Sequence, residues 1–215
     1  MFFAQKKVQG FLLILLLAVS LVVGLSMRHS EAVVAQPLAQ TLSTKPSIVL
    51  VHGAFADGSG WQRVIPFLER DGYTVTAVQN PLTSLPDDIA TTKRVIADQK
   101  GPIVVVGHSY GGNVITGAAA GNPQVKALVY IAAYAPDAGE TIKGLNGKYA
   151  PPPIATALVP ETGGFLYTKR DQLHAFFAND VSAAEARVMA ATQKPLASTA
   201  LDQAVNSAAW KTIPS

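Results

Sequence analysis

The chain has no cysteine and little charge: none of its 215 residues is Cys, and only 14% are Asp, Glu, Lys or Arg. Without cysteine there is no disulfide, no thiol nucleophile and no lipid-modified N-terminal cysteine, so the fold depends on its apolar core. Histidine is scarce, at 4 residues. None stands in H-x-H or H-E-x-x-H spacing, which argues against a metal site. The glycine-rich stretch Gly53 to Gly60 has Ser59 after Gly58 and no lysine to hold a phosphate, so a phosphate loop is excluded. No G-x-G-x-x-G joins the first strand to its helix, which removes the dinucleotide fingerprint. No cofactor is expected, and no internal repeat or low-complexity segment is visible.

What is abundant is apolar: 49% of the residues are hydrophobic. Part of that excess is N-terminal. Lys6 and Lys7 precede the aliphatic run Phe11 to Leu25, and small residues follow at Ala32 and Ala35. That order makes residues 1–35 a signal peptide or an N-terminal anchor and implies export to the periplasm or outside the cell. Without this segment the formal charge falls from +3 to +1, with 14 basic against 13 acidic residues. The basic balance therefore gives no reason to expect a nucleic-acid partner, and a membrane is met only through the N-terminal segment.

Residues 36–46 read as a linker. Strand and helix patterns then alternate: strands at Ile48 to Val51, Tyr73 to Val78, Ile103 to Val106 and Ala127 to Ala132, and helices from Trp61, over Asp87 to Gln99 and over Asn113 to Ala120. Trp61, Val64, Ile65 and Leu68 share one helical face, with Ser59 and Gln62 as a capping box and Gly72 as the stop. Short aliphatic strands alternating with helices specify an α/β fold with a mostly parallel sheet covered on both faces, its chemistry at the carboxyl ends of the strands. Residues 47–137 form this core. Residues 138–215 show no buried aliphatic strand and read as a helical lid, with helices over Asp171 to Phe177, from the capping box Ser182 and Glu185 to Pro195, and over Thr199 to Ala209.

The stretch "VVVGHSYGGN" carries the chemistry. Gly107, Ser109 and Gly111 fit G-x-S-x-G, a sharp strand-to-helix turn that leaves a serine exposed in a strained conformation, with glycines where side chains would collide. Ser109 is the candidate nucleophile. His52-Gly53-Ala54 follows the first strand, where a backbone N–H can join that of the residue after the serine. Ala54 and Tyr110 are therefore the candidate oxyanion donors, through their N–H groups.

"VLVHGAFADGSGW", "GYTVTAVQNPLTSL", "VVVGHSYGGNVIT" and "ALVYIAAYAPDAGE", in this order, resemble the α/β-hydrolase superfamily. The likeness is to small bacterial esterase-like members similar to plant methylesterases and hydroxynitrile lyases. The resemblance implies carboxylic ester hydrolysis through an acyl-enzyme on Ser109, with a small-molecule ester-like substrate. It also implies an acid after a later strand and a histidine after the last. The chain reaches "AAWKTIPS" where the family enters the strand before the acid, so the last two strand-helix units, and with them the base, are expected to be missing.

A substitute triad of Ser109, Asp137 and His174 would keep the order Ser, Asp, His, but His174 sits on a lid helix beside Leu173, Phe176 and Phe177, a mobile place for a base. His52 and His108 read as structural residues at strand ends, Asp57 as a turn former, and Asp137 as a turn or cap residue. Phe165, Phe176, Phe177 and Met189 read as lid core, and the resemblance implies that the lid also lines an apolar acyl or aryl pocket. Two rival functions stand beside the esterase: an inactive remnant or binding module, and a hydroxynitrile lyase or perhydrolase-like relative. Oligomeric state is not legible.

Overall fold

The computed structural model describes residues 45–215. The segment 1–35 and the linker up to residue 44 lie outside the described residues. Four short strands, β1 (Ser47–Val51), β2 (Val75–Ala77), β3 (Ile103–His108) and β4 (Val125–Ile131), pair in parallel in the order β2-β1-β3-β4. Alternation along the strands sends Val49, Val51, Ile103 and Val105 to one face. There they pack with Leu85 and Ile96 of α2 (Leu85–Ala97) and with Val114 and Ile115 of α3 (Tyr110–Ala118). Ile48, Leu50 and Val106 face the other way, onto Trp61 and onto Ile65 and Leu68 of α1 (Ile65–Arg70). Burial on both faces is why these strands read as continuous aliphatic runs.

Several boundaries differ from the sequence reading. The helix expected from Trp61 is a 3-10 turn at Gly58–Trp61 followed, after a break, by α1. Its cap is Asp57, which accepts from Ser59 N–H at 2.7 Å, in place of the Ser59 and Gln62 box. The break rotates Val64 out to 40% exposure. Gly72 does end α1, at φ +81°. Helix α2 starts two residues early because Ser84 caps it, accepting from Asp87 N–H, and Pro86 suits its first turn.

The segment 138–215 contains the helices α4 (Ile142–Asn146), α5 (Leu173–Phe176) and α6 (Ala183–Thr192). Ser182 caps α6 as expected, accepting from Glu185 N–H, while the Glu185 carboxylate pairs with Arg63 of the core. The expectation that this segment is a helical layer is only partly met. Strands β5 (Leu158–Glu161), β6 (Phe165–Thr168) and β7 (Leu196–Ala197) form an antiparallel sheet in that order. All are short; β5 and β6 are largely half-exposed, Pro160 sits on the edge strand, and the buried β7 has only two residues, so none carries the signature of a long buried aliphatic run. Gly163 and Gly164, both at φ +81°, make the turn between β5 and β6. The helix expected over Thr199 to Ala209 is replaced by two 3-10 turns, Ser198–Leu201 and Ala209–Lys211.

Strand β4 stands at the edge of the parallel sheet. The tail bonds its outer side, where Leu128 N–H donates to Pro214 O at 2.9 Å. Val129 and Ile131 are 40% and 43% exposed. Among the described residues no helix is long and apolar enough to cross a membrane.

Candidate active site

The chain runs from β1 to β2 on one side and then returns to β3 on the other, so the crevice between the carboxyl ends of β1 and β3 is the switch point of the sheet. Ser109 lies there, immediately after β3 and immediately before α3. Its backbone is at φ 52°, ψ −122°, a region that costs a non-glycine residue about 1–3 kcal/mol. The turn that holds it needs glycine on both sides. A Cβ on Gly107 would meet Gly111 O at 2.7 Å, and one on Gly111 would meet Val51 O at 2.5 Å and His52 O at 2.7 Å. Ser109 precedes α3 without capping it through its side chain, so Oγ is free of its own helix. The residue is partly exposed.

The loop after β1 meets this turn. Gly53 is so close that a Cβ there would lie 3.0 Å from Ser109 Cβ. The peptides that carry the two candidate donors are both held at their carbonyl ends. Gly53 O, in the peptide of Ala54 N–H, accepts from His52 Nδ1 at 2.9 Å. Ser109 O, in the peptide of Tyr110 N–H, accepts from Gly112 N–H at 3.0 Å and from Tyr134 N–H at 3.2 Å. Among the described residues neither Ala54 N–H nor Tyr110 N–H donates to a protein acceptor. Two such N–H groups at the start of a helix and the end of a strand are what binding a developing oxyanion requires.

Sequence reasoning missed the residues that brace this arrangement. Asp88, fully buried in α2, accepts from Tyr110 O–H at 2.6 Å and from Leu82 N–H at 2.8 Å. Burial raises its pKa above the ordinary carboxylate value, and the bonds from Tyr110 and Leu82 oppose that shift. Burial and the neighbouring Asp88 drive the Tyr110 phenol far above its usual range, so it stays a donor. Asn80 N–H donates to His52 Nε2 at 3.1 Å, and Thr92 Oγ1 donates to Asn80 Oδ1 at 3.2 Å. An Asp in the first turn of a helix reads locally as a dipole or cap residue, so nothing short-range marks Asp88 as the partner of a tyrosine 22 positions later.

The histidines hold structure. His52 is buried, and its ring nitrogens are both engaged by backbone groups. Burial depresses its pKa, with the Lys194 charge adding to the effect, so it is neutral at pH 7. Burial also lowers His108, whose ring meets Trp61 edge-on at 6.4 Å. His174 Nε2 donates to Val181 O at 3.0 Å. Asp137 pairs with Lys211, and its N–H donates to Glu140. The substitute triad is therefore not assembled: Asp137 and His174 each have another partner, and no histidine bonds Ser109 Oγ among the described residues. Asp57 is the turn former expected. In the lid, Phe177 packs edge-on against Phe55, the residue after Ala54, at 6.4 Å. A separate cavity of about 250 Å³, lined by Tyr167, Thr168, Lys169 and Gln193 among others, includes neither Ser109 nor Ala54.

The sequence model of the alpha/beta hydrolase family matches residues 48–215. A carbendazim hydrolyzing esterase from Nocardioides sp. (strain SG-4G) is 31% identical over 132 residues, covering 55% of this chain and 53% of that protein. The chain thus spans about half the length of this relative. Among solved structures, a pyrethroid hydrolase from Sphingobium faniae JZ-2 superposes with a TM-score of 0.61 at 22% identity, over 75% of this chain and 72% of that one. Polyneuridine aldehyde esterase superposes at 0.65 with 18% identity, over 78% and 77%. At such identities these two speak for the fold alone. With a parallel sheet, a strained serine turn at its switch point and a family match over 48–215, the chain belongs to the alpha/beta hydrolase family.

Proposed function

We propose that this protein is a serine hydrolase of carboxylic esters, acting through an acyl-enzyme on Ser109, with the N–H groups of Ala54 and Tyr110 stabilising the oxyanion. The observation that carries this reading is Ser109 itself. It is held at φ 52° at the end of β3, uncapped, with Gly53 against its Cβ. In the first step Ser109 Oγ bonds to the ester carbonyl carbon, the two N–H groups hold the resulting oxyanion, and the alkoxide leaves as an alcohol. Water then attacks the acyl-enzyme and releases the acid. A base must take the serine proton and return it to the leaving oxygen. The ring nitrogens of His52 and Nε2 of His174 are bonded elsewhere, and no described histidine bonds Ser109 Oγ.

Residues 1–35 carry the protein out of the cytoplasm, and the ester-like substrate is met there.

The test is hydrolysis of p-nitrophenyl acetate by the 215-residue chain and by Ser109→Ala. An oxyanion site and serine without a base leave about 10³ to 10⁴ over water, so weak turnover that Ser109→Ala removes is expected. Adding a segment that supplies an acid and a histidine should raise the rate by orders of magnitude. Turnover that survives Ser109→Ala would refute the nucleophile. The occupied histidines favour one second reading, a module that binds esters or acids at this crevice without turning them over. Saturable binding of a carboxylate with no labelling of Ser109 by an activated phosphonate would decide for it.

A further inference from the structure

We propose that His52 is a positioning residue for the Ala54 N–H donor, and that Lys194 of the lid holds His52 in that role through Asn80. This rests on the assignment of Ala54 to the oxyanion site. Gly53 C=O and Ala54 N–H are the two ends of one planar peptide unit, so whatever fixes the carbonyl fixes the direction of the N–H. A donor on the carbonyl also polarises the unit and strengthens its N–H as a donor. His52 supplies that donor at 2.9 Å.

It can do so only as the tautomer with its proton on Nδ1, and Asn80 N–H, donating to Nε2 at 3.1 Å, selects that tautomer. Asn80 is held in turn by Thr92 Oγ1 on its side chain and by Lys194 Nζ on its carbonyl. The same Lys194 also donates its backbone N–H to Phe55 O at 3.4 Å, one residue beyond Ala54. A single lid residue, which follows α6, thus grips the oxyanion loop directly and through the Asn80 and His52 chain. The charged or titratable groups that face His52 are Lys194, Asp57 and His108, and burial with the Lys194 charge keeps the imidazole neutral for this task. The lid therefore sets the donor strength of the site.

Lys194 is only half-buried, which makes Lys194→Met a mild perturbation of the fold. The probes are the amide proton of Ala54 and the imidazole of His52 by NMR, and the labelling of Ser109 by a p-nitrophenyl methylphosphonate ester. In the labelling step the Ser109 Oγ–P bond forms, the P–O(aryl) bond breaks, nitrophenolate leaves and the serine proton passes to solvent. Lys194→Met is expected to move the Ala54 amide proton upfield and to slow labelling at saturation about tenfold, less than the loss of a whole oxyanion donor. The half-saturating concentration should be unchanged, and Lys194→Arg should restore both signals.

An Ala54 resonance and saturating rate that ignore Lys194→Met would overturn the linkage. So would a change confined to the half-saturating concentration, because a lid that only shapes the pocket behaves that way. Labelling that survives Ser109→Ala would refute the nucleophile assignment instead, and the Ala54 and His52 resonances would still decide the linkage.

Discussion

Tyr110→Phe removes one hydroxyl from beneath the serine turn, and its cost can be worked out from what the hydroxyl touches. Asp88 is fully buried and takes its two bonds from Tyr110 O–H, at 2.6 Å, and Leu82 N–H, at 2.8 Å. Above its raised folded pKa, where Asp88 is ionised, leaving it with one donor should cost about 1.5–3 kcal/mol, the range for a hydrogen bond to a charged group. The folded pKa of Asp88 is raised by burial, so its ionisation opposes folding as the pH climbs from the unfolded value of 3.8 through the folded one. The Tyr110 bond lowers that folded pKa, and removing it widens the window.

As the pH falls through the raised folded pKa the carboxyl takes up its proton, and the lost bond becomes a neutral one of about 0.5–1.5 kcal/mol. The deficit of Tyr110→Phe should thus shrink by about 1 kcal/mol between pH 7 and pH 4. Urea unfolding of wild type, Tyr110→Phe, Asp88→Asn and the double variant at both pH values measures it, and the cycle isolates the coupling. A deficit that is absent, or equal at both pH values, would refute the reasoning.

Gly107→Ala should destabilise by more than about 2 kcal/mol, measured by urea midpoint, because its Cβ would lie 2.7 Å from Gly111 O and backbone must move. His52, with its folded pKa below 6.5, contributes stability that is whole above the unfolded value and is lost as the pH falls below it. The loss reaches at most about 1.4 kcal/mol per pH unit, and His52→Asn should flatten this limb in unfolding at pH 7 and 5.5. If residues 1–35 are a cleaved signal, N-terminal sequencing of exported protein should begin near Val33 or Gln36, and material retaining Met1 in membranes would show an anchor. The β4 edge, with Val129 and Ile131 exposed, should drive self-association in sedimentation experiments. Val129→Lys should reduce that association, and a monodisperse monomer in wild type would show that the tail at Pro214 covers the edge.

The parts of the fold that were legible are those whose signal is local and strong. Ile48 to Val51 and Ile103 to Val106 are buried on both faces, so burial wrote aliphatic residues at every position and the strands could be read directly. The serine turn was legible for a related reason. Gly107 and Gly111 are dictated by backbone atoms less than 3 Å from where a Cβ would sit, and only glycine satisfies that. The lid strands were not legible. Leu158 to Glu161 and Phe165 to Thr168 are short and largely half-exposed, and they are fixed by pairing with each other, which leaves no periodicity in either segment alone.

The same distinction runs through the candidate site. Ser109, Ala54 and Tyr110 are marked by short motifs because the turn and the strand end constrain their immediate neighbours. Asp88, Asn80 and Lys194 act from distances of 22, 28 and 114 residues along the chain from the groups they hold, through single hydrogen bonds to Tyr110, His52 and Asn80. A bond of that kind asks for one polar atom at one place and sets no pattern around it. The groups that would perform the chemistry can therefore be read from this sequence, whereas those that aim them emerge only when the β2 to α2 loop is seen between the serine turn, the oxyanion loop and the lid. Asn80 bonds His52, Leu82 bonds Asp88, and Lys194 and Ala197 of the lid bond the carbonyls of Asn80 and Leu82. A change in the lid would reach both candidate oxyanion donors through this one loop, without touching Ser109.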